Sequence, residues 1–277
     1  MNNLHLIEKI KLFLEEDIGP GDITSEALFQ NGWPAKALFI AKSDFTIAGL
    51  EIAELVFETQ NHEIHCDILL PDGSKALPGD KLLKISGPAQ DLLKAERVAL
   101  NICQRLCGIA SLTAAFVEKT KGLPVRIVDT RKTNPGLRTF EKYAVRVGGG
   151  YNHRFNLADA VLIKENHIKA CGSIHEAITK TRKYAPHTMK IEVEAERLDQ
   201  VEECLAAGAD IIMLDNMSLA EMRKAVELVQ GKALIEASGG VTLDNVRDIA
   251  ETGVDIISIG ALTHSAPASD ISMLIVD

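Results

Sequence analysis

Aromatic residues are scarce: Phe, Tyr and Trp together make up 4% of the 277 residues, with a single Trp. So few rings leave little on which to stack bases. A formal net charge of -9 also lacks the basic excess of a general nucleic-acid binder. Cysteine is thin too. Cys66, Cys103, Cys107, Cys171 and Cys204 are scattered and odd in number, with no CxxC pair. That excludes a disulfide framework and fits reduced thiols in the cytoplasm. Walker A, GxSxG and HExxH motifs are absent. Long uninterrupted apolar runs are missing as well. The most apolar helical region, Asp91 to Lys121, carries Lys94, Glu96, Arg97, Asn101, Gln104 and Arg105, charges and amides that a membrane span would have to bury. The opening MNNLHLIEKIKLFLEEDIG reads as an amphipathic helix with acids inside it, not as a signal peptide.

What is present is the balance of an ordinary globular protein, 46% hydrophobic and 25% charged, at a length that suits a barrel of strands and helices or two domains. The pattern changes near residue 110. Before it, the β-like runs AKALFIAK, FTIAG, HEIHCDILLPDG and KLLKISG are separated by turn signals such as PDG at 71–73 and PGD at 78–80. They predict a small, mostly antiparallel sheet flanked by the N-terminal helix and a helix through LEIAELVFET. Asp91 is expected to cap a long helix whose buried stripe is Leu92, Ala95, Ala99, Ile102, Leu106 and Ile109.

From residue 125 onward, apolar runs alternate with helical segments: VRIVDT, ADAVLIKEN, MKIEVEA, ADIIMLDN, ALIEASGG and VDIISIGAL. This rhythm implies a parallel sheet covered on both faces. The runs end in Asp129, Lys164, Glu194, Asp215 and Ser238, and in a (β/α) barrel such strand ends surround the active site. The expected fold is therefore α/β: an incomplete (β/α) barrel of about six parallel strands, with an N-terminal α+β domain. The expected division is residues 1–112 for the first domain and 113–266 for the barrel, the tail 267–277 packing with the first.

Chemistry concentrates in DTRKTNPGLRTFEKYAVRVGGGYNHR, residues 129–154. Arg131, Lys132, His153, Arg154 and Lys164 fall around one strand-end region, where so many cations repel one another unless an anion of several charges is bound. Arg138, Lys142 and Arg146, at i, i+4 and i+8, read instead as a helix surface or a dimer contact. Ser238-Gly239-Gly240 and Gly260 close consecutive strands; they are either a phosphate grip or simply tight βα turns. Glu194 and Asp215 need a cation, a metal or sugar hydroxyls, or else a structural salt bridge with Lys164 or Arg131. His62-x-x-His65-Cys66 holds metal-ligand residue types but lacks a second cluster and reads as surface or packing.

These blocks, with ERVALNICQRLCGIAS, LIKENH, IEVEAE, IIMLDN, EASGG, DIISIGALTHS and the opening EEDIGPGDITS, occur in an order that resembles the quinolinate phosphoribosyltransferase family across essentially the whole chain. The resemblance implies a type II phosphoribosyltransferase. It would convert quinolinate and phosphoribosyl pyrophosphate, with Mg²⁺, to nicotinate mononucleotide, CO₂ and pyrophosphate in NAD synthesis. It further implies that Arg131, His153, Arg154 and Lys164 bind quinolinate, joined by Arg97 of a partner subunit. Lys132, Glu194, Asp215, Ser238, Gly239 and Gly260 would bind phosphoribosyl pyrophosphate, Glu194 and Asp215 also holding Mg²⁺. Lys132, Lys164, Glu194 and Asp215 would carry catalysis. The implied assembly is a cytoplasmic homodimer, with hexamers left open and with neither nucleic acid nor membrane as partner. A related barrel protein associated with molybdenum transport shares much of this residue set, so quinolinate itself is the discriminating substrate. Nicotinate phosphoribosyltransferase, which takes a monocarboxylate, needs fewer cations.

Overall fold

The computed structural model describes residues 3–277. They divide into two compact units: the residues up to Leu112 with Asn134–Gly148 and Ala266–Asp277, and the residues Thr113–Thr133 with Gly149–Ser265. The stretch 134–148, expected in the barrel domain, thus belongs to the first unit.

In the first unit, β1 (Pro34–Ala41), β3 (His65–Ile68), β5 (Lys81–Pro88) and β12 (Ile271–Val276) form an antiparallel sheet in the order β12-β1-β5-β3. Two short strands, β2 (Phe45–Thr46) and β4 (Lys75–Ala76), pair separately. The helices are α1 (Asn3–Ile18), α2 (Ile23–Leu28), α3 (Leu50–Gln60) and, within Asn134–Gly148, α5 (Arg138–Val147). The long helix α4 (Ala89–Lys119) crosses the unit boundary at Leu112. On α1, Leu6, Ile10 and Leu14 are buried at four-residue spacing, as an amphipathic helix requires. All six residues of the predicted α4 stripe are buried. By length and composition α4 could cross a membrane; here its stripe packs within a protein core. Asp91 does not cap it. The helix starts at Ala89, and the Asp91 carboxylate instead accepts hydrogen bonds from Gln60 and Asn61 at the end of α3, 3.0 and 2.8 Å long.

The surface reading of the α5 stripe also needs correcting, because Lys142 is fully buried while Arg146 is exposed. Beside it, Glu141 is equally buried and accepts hydrogen bonds from Arg105 Nη2 at 3.0 Å and from the Asn134 amide.

The second unit holds all six predicted parallel strands: β6 (Arg126–Val128), β7 (Val161–Ile163), β8 (Ile191–Ala195), β9 (Ile211–Asp215), β10 (Leu234–Ser238) and β11 (Ile256–Ser258). Their order is β6-β11-β10-β9-β8-β7, parallel throughout, so β6 and β7 remain the two edges of an incomplete barrel. Between the strands run α6 (Glu165–Cys171), α7 (Ile174–Tyr184), α8 (Leu198–Ala206), α9 (Leu219–Val229) and α10 (Val246–Ala250), and α11 (Ala261–His264) follows β11. Past β6 the chain returns through Tyr151, which bridges to Val128 in parallel and brings residues 151–154 alongside the β6 edge.

Candidate active site

A cavity of about 800 Å³ opens at the C-terminal ends of the parallel strands. Arg131, Lys132, His153, Arg154, Lys164, Glu194, Asp215, Ser238, Gly239 and Gly260 all line it. The barrel residues to which the resemblance gives a substrate or metal role are therefore in one place. Arg97, exposed on α4 of the first unit, is not part of this cavity.

Each wall has a local cause. The loop after β6 is held by two threonine hydroxyls: the Lys132 amide donates to Thr130 Oγ1 at 3.0 Å, and Thr263 Oγ1 donates to the Lys132 carbonyl at 2.8 Å. Asp129, fully buried, accepts from Asn152 Nδ2 at 2.6 Å and from the His153 amide at 2.9 Å, fixing the segment that presents His153 and Arg154. Arg154 Nη1 donates to the Ala160 carbonyl at 2.8 Å. Burial and the neighbouring Arg131 make its guanidinium somewhat less basic, an effect that Glu192 and Glu194 oppose.

Lys164 pairs with Glu194, the salt bridge weighed from sequence as one resting place for that acid. The Lys164 side chain is half exposed, so an incoming anion can compete for it. At the end of β9, Asp215 leads into Asn216, which takes left-handed backbone geometry (φ 55°) and donates its amide to the Ser238 carbonyl at 2.9 Å. Gly239 (φ 93°) sits against that side chain: an added Cβ would lie 2.2 Å from Asn216 Oδ1. Gly260 has ordinary φ, but a Cβ there would stand 2.9 Å from Lys132 Cδ. Gly239 is thus required by its backbone geometry and by close approach, whereas at Gly260 side chains would have to give; the backbone of both lines the cavity. After Gly240 residues 243–245 form a turn, and the next helix begins at Val246.

Sequence reasoning passed over Glu192 and Glu236. They are 3% and 2% exposed, and their carboxylates meet His153 Nε2 at 3.1 and 3.7 Å. His153, Glu192 and Glu236 form the one group of potential metal-ligand side chains found among the described residues; the His62–Cys66 stretch does not form one. The signal was legible: in IEVEA and LIEAS, period two puts Glu192 on the face of Glu194, and Glu236 on the face of Ser238. Glu194 and Asp215, whose carboxylate oxygens are the hard donors that Mg²⁺ takes, both line the larger cavity.

An incomplete (β/α) barrel with cations, acids and glycine turns gathered at its strand ends is the frame of an enzyme for small, multiply charged anions. Residues 22–107 match the model of the quinolinate phosphoribosyl transferase N-terminal domain, and residues 109–274 that of the C-terminal domain. A curated relative from Bacillus subtilis, "Probable nicotinate-nucleotide pyrophosphorylase [carboxylating]", is 45% identical over 99% of this chain and 94% of its own length. Another, from Methanothermobacter thermautotrophicus under the same name, is 38% identical over 97% of this chain and 98% of its own. The crystal structure of NadC from Streptococcus pyogenes superposes with a TM-score of 0.95 at 43% identity, covering 100% of this chain and 99% of that one. The chain belongs to the quinolinate phosphoribosyltransferase family.

Proposed function

We infer that this chain joins quinolinate to phosphoribosyl pyrophosphate and releases CO₂ and pyrophosphate, forming nicotinate mononucleotide for NAD synthesis. The observation that carries this reading is the meeting of Arg131, Lys132, Arg154 and Lys164 with the Ser238–Gly240 and Gly260 turns in one cavity. Two adjacent ring carboxylates call for several cations at close range. Planar guanidinium groups bind carboxylates through two parallel hydrogen bonds, so Arg131 and Arg154 take the dicarboxylate, with Lys164 beside them. The 5′-phosphate goes to the Ser238–Gly239 and Gly260 turns, where backbone N–H groups can come close. Lys132, next to Gly260, faces the departing pyrophosphate. Glu194 and Asp215 hold the ribose hydroxyls and Mg²⁺, which supplies charge neutralisation on the pyrophosphate when bound.

The chemistry then follows from placement. The pyridine nitrogen lone pair attacks C1′ as the C1′–O bond to pyrophosphate breaks, through a cationic sugar. Holding the two reactants in line and stabilising the leaving charge supply most of the acceleration. The ring nitrogen is now positive. Loss of the 2-carboxylate as CO₂ leaves its electron pair at C2, where the adjacent N⁺ stabilises it until C2 takes a proton. No separate electron sink is required.

Arg97, exposed on α4, is assigned to the cavity of a second copy, making the working form a homodimer. The five free cysteines suit the reducing cytoplasm. Pyrophosphate release that needs quinolinate, phosphoribosyl pyrophosphate and Mg²⁺ together is the expected result. Release with another ring acid but none with quinolinate would redirect the assignment.

A further inference from the structure

His153 looks from sequence like one more cation for the substrate, but its surroundings make it something else. The Arg154 backbone N–H donates to His153 Nδ1 at 2.8 Å. A backbone amide can only donate, so Nδ1 carries a lone pair and the ring proton sits on Nε2. That nitrogen faces downward, 3.1 Å from Glu192 Oε2 and 3.7 Å from Glu236 Oε1. Both ring nitrogens are therefore engaged by protein.

The acids beneath it cannot both be charged cheaply. Glu236 on β10 faces Glu192 from β8, His153 from beside β6, Ser258 from β11 and the apolar Met213 in register on β9. Its Oε1 is buried and accepts no hydrogen bond among the described residues. Burial first, and then the neighbouring Glu192, push its pKa up to about 7. The Glu192 carboxylate thus anchors the Nε2–H, and Arg154 stands within its field. A second cavity of about 300 Å³, lined by His153, Arg154, Glu192 and Glu236, lies around this cluster.

We propose that His153 is a neutral positioning residue: clamped between the Arg154 amide and the buried Glu192–Glu236 pair, it sets the Arg154 guanidinium at the cavity floor for a ring carboxylate. The proposal deepens the dicarboxylate reading and rests on it for its kinetic consequences. When Glu236 ionises, a second negative charge appears under the site, competes for Arg154 and repels the incoming dianion. The Michaelis constant for quinolinate must then rise above neutral pH.

The test has a part that needs no substrate. Nitrogen-15 NMR of the histidine-labelled protein, with the His153 signal assigned by its loss in His153→Gln, is expected to show an unprotonated Nδ1 and a protonated Nε2 near pH 7. An imidazolium signal there overturns the proposal whatever the enzyme's substrate. The kinetic part compares His153→Ala, His153→Gln and Glu236→Gln with wild type between about pH 6 and pH 9. Wild-type turnover of quinolinate tests the functional reading; the variants test this inference. His153→Ala is expected to raise KM for quinolinate about tenfold, roughly one lost charge-assisted hydrogen bond, and to leave KM for phosphoribosyl pyrophosphate within about threefold. His153→Gln, which puts an amide N–H near the place of Nε2–H, recovers part of that loss although it cannot carry charge. Glu236→Gln flattens the alkaline rise in KM. No rescue by Gln, or a Glu236→Gln profile that still follows wild type, refutes it.

Discussion

Gly239→Ala separates a backbone requirement from a merely small side chain. Gly239 has φ 93°, in the left-handed region, and its new Cβ would stand 2.2 Å from Asn216 Oδ1. Holding Ala in left-handed geometry costs about 1 kcal/mol. Relieving the overlap means moving the Asn216 carboxamide by about 1 Å, a further cost of about 1 kcal/mol. Asn216 is itself left-handed and is tied by its amide to the Ser238 carbonyl, so the displacement spreads into the turn assigned to the 5′-phosphate. A total of about 2 kcal/mol should lower the melting temperature by about 4–8 °C in a chain of this size. If the turn shifts by as much, KM for phosphoribosyl pyrophosphate rises about tenfold or more. Gly260→Ala is the matched control. Its φ is ordinary, and the nearest atom to a new Cβ is Lys132 Cδ at 2.9 Å, part of a flexible chain. It should leave the melting temperature nearly unchanged while displacing Lys132 and weakening phosphoribosyl pyrophosphate. Differential scanning fluorimetry and initial rates measure both. A Gly239→Ala protein with wild-type melting temperature and wild-type KM would refute the reasoning.

Three further outcomes are expected. Gly108→Ala places its Cβ 1.8 Å from the Pro267 carbonyl oxygen, a backbone atom with little room to move, so denaturant melts should show a loss of about 3 kcal/mol. Glu236 holds its proton to about pH 7 when folded but releases it near 4.5 when unfolded. Wild type therefore loses stability as pH rises through that window, and the melting-temperature difference between Glu236→Gln and wild type should grow from pH 4.5 to pH 7. Arg97→Ala and Arg131→Ala should each be nearly inactive alone. In a dimer that shares its sites, re-equilibrated mixtures recover about a quarter of wild-type activity, from one intact site in each heterodimer; a mixture no more active than its parts counts against sharing.

The six parallel strands were readable because each is a short, nearly continuous apolar run, and a strand buried on both faces has no other way to be written. Their polar ends marked the site for the same reason. Glu192 and Glu236 were hidden by their position one layer deeper. The eye takes the last residue of a strand as the functional one, although side chains two apart share a face. Lys142 was misread because three cations at helical spacing imitate a wetted stripe, and no local pattern says that the middle one is buried. Asp91 failed as a cap because a first-turn acid has the same local signature whether it bonds its own helix or a neighbour's amides. His153 shows the limit most plainly: its residue type suggested a cation, and the backbone N–H that meets its Nδ1 becomes visible only in the fold.

The pairing of β12 with β1 also bears on how the molecule comes to be. Lys36 lies opposite Val276 and Ala41 opposite Ile271, so this ladder joins positions more than two hundred residues apart. During synthesis the segment 271–276 emerges after all six strands of the parallel sheet have been made. One side of β1 must wait, its backbone donors and acceptors open, while the later unit already has everything needed to close. Such a bare edge is the place where a nascent chain pairs with the wrong strand, its own or a neighbour's. Shortening the chain by those six residues should therefore harm solubility during expression far more than their small share of the core would suggest.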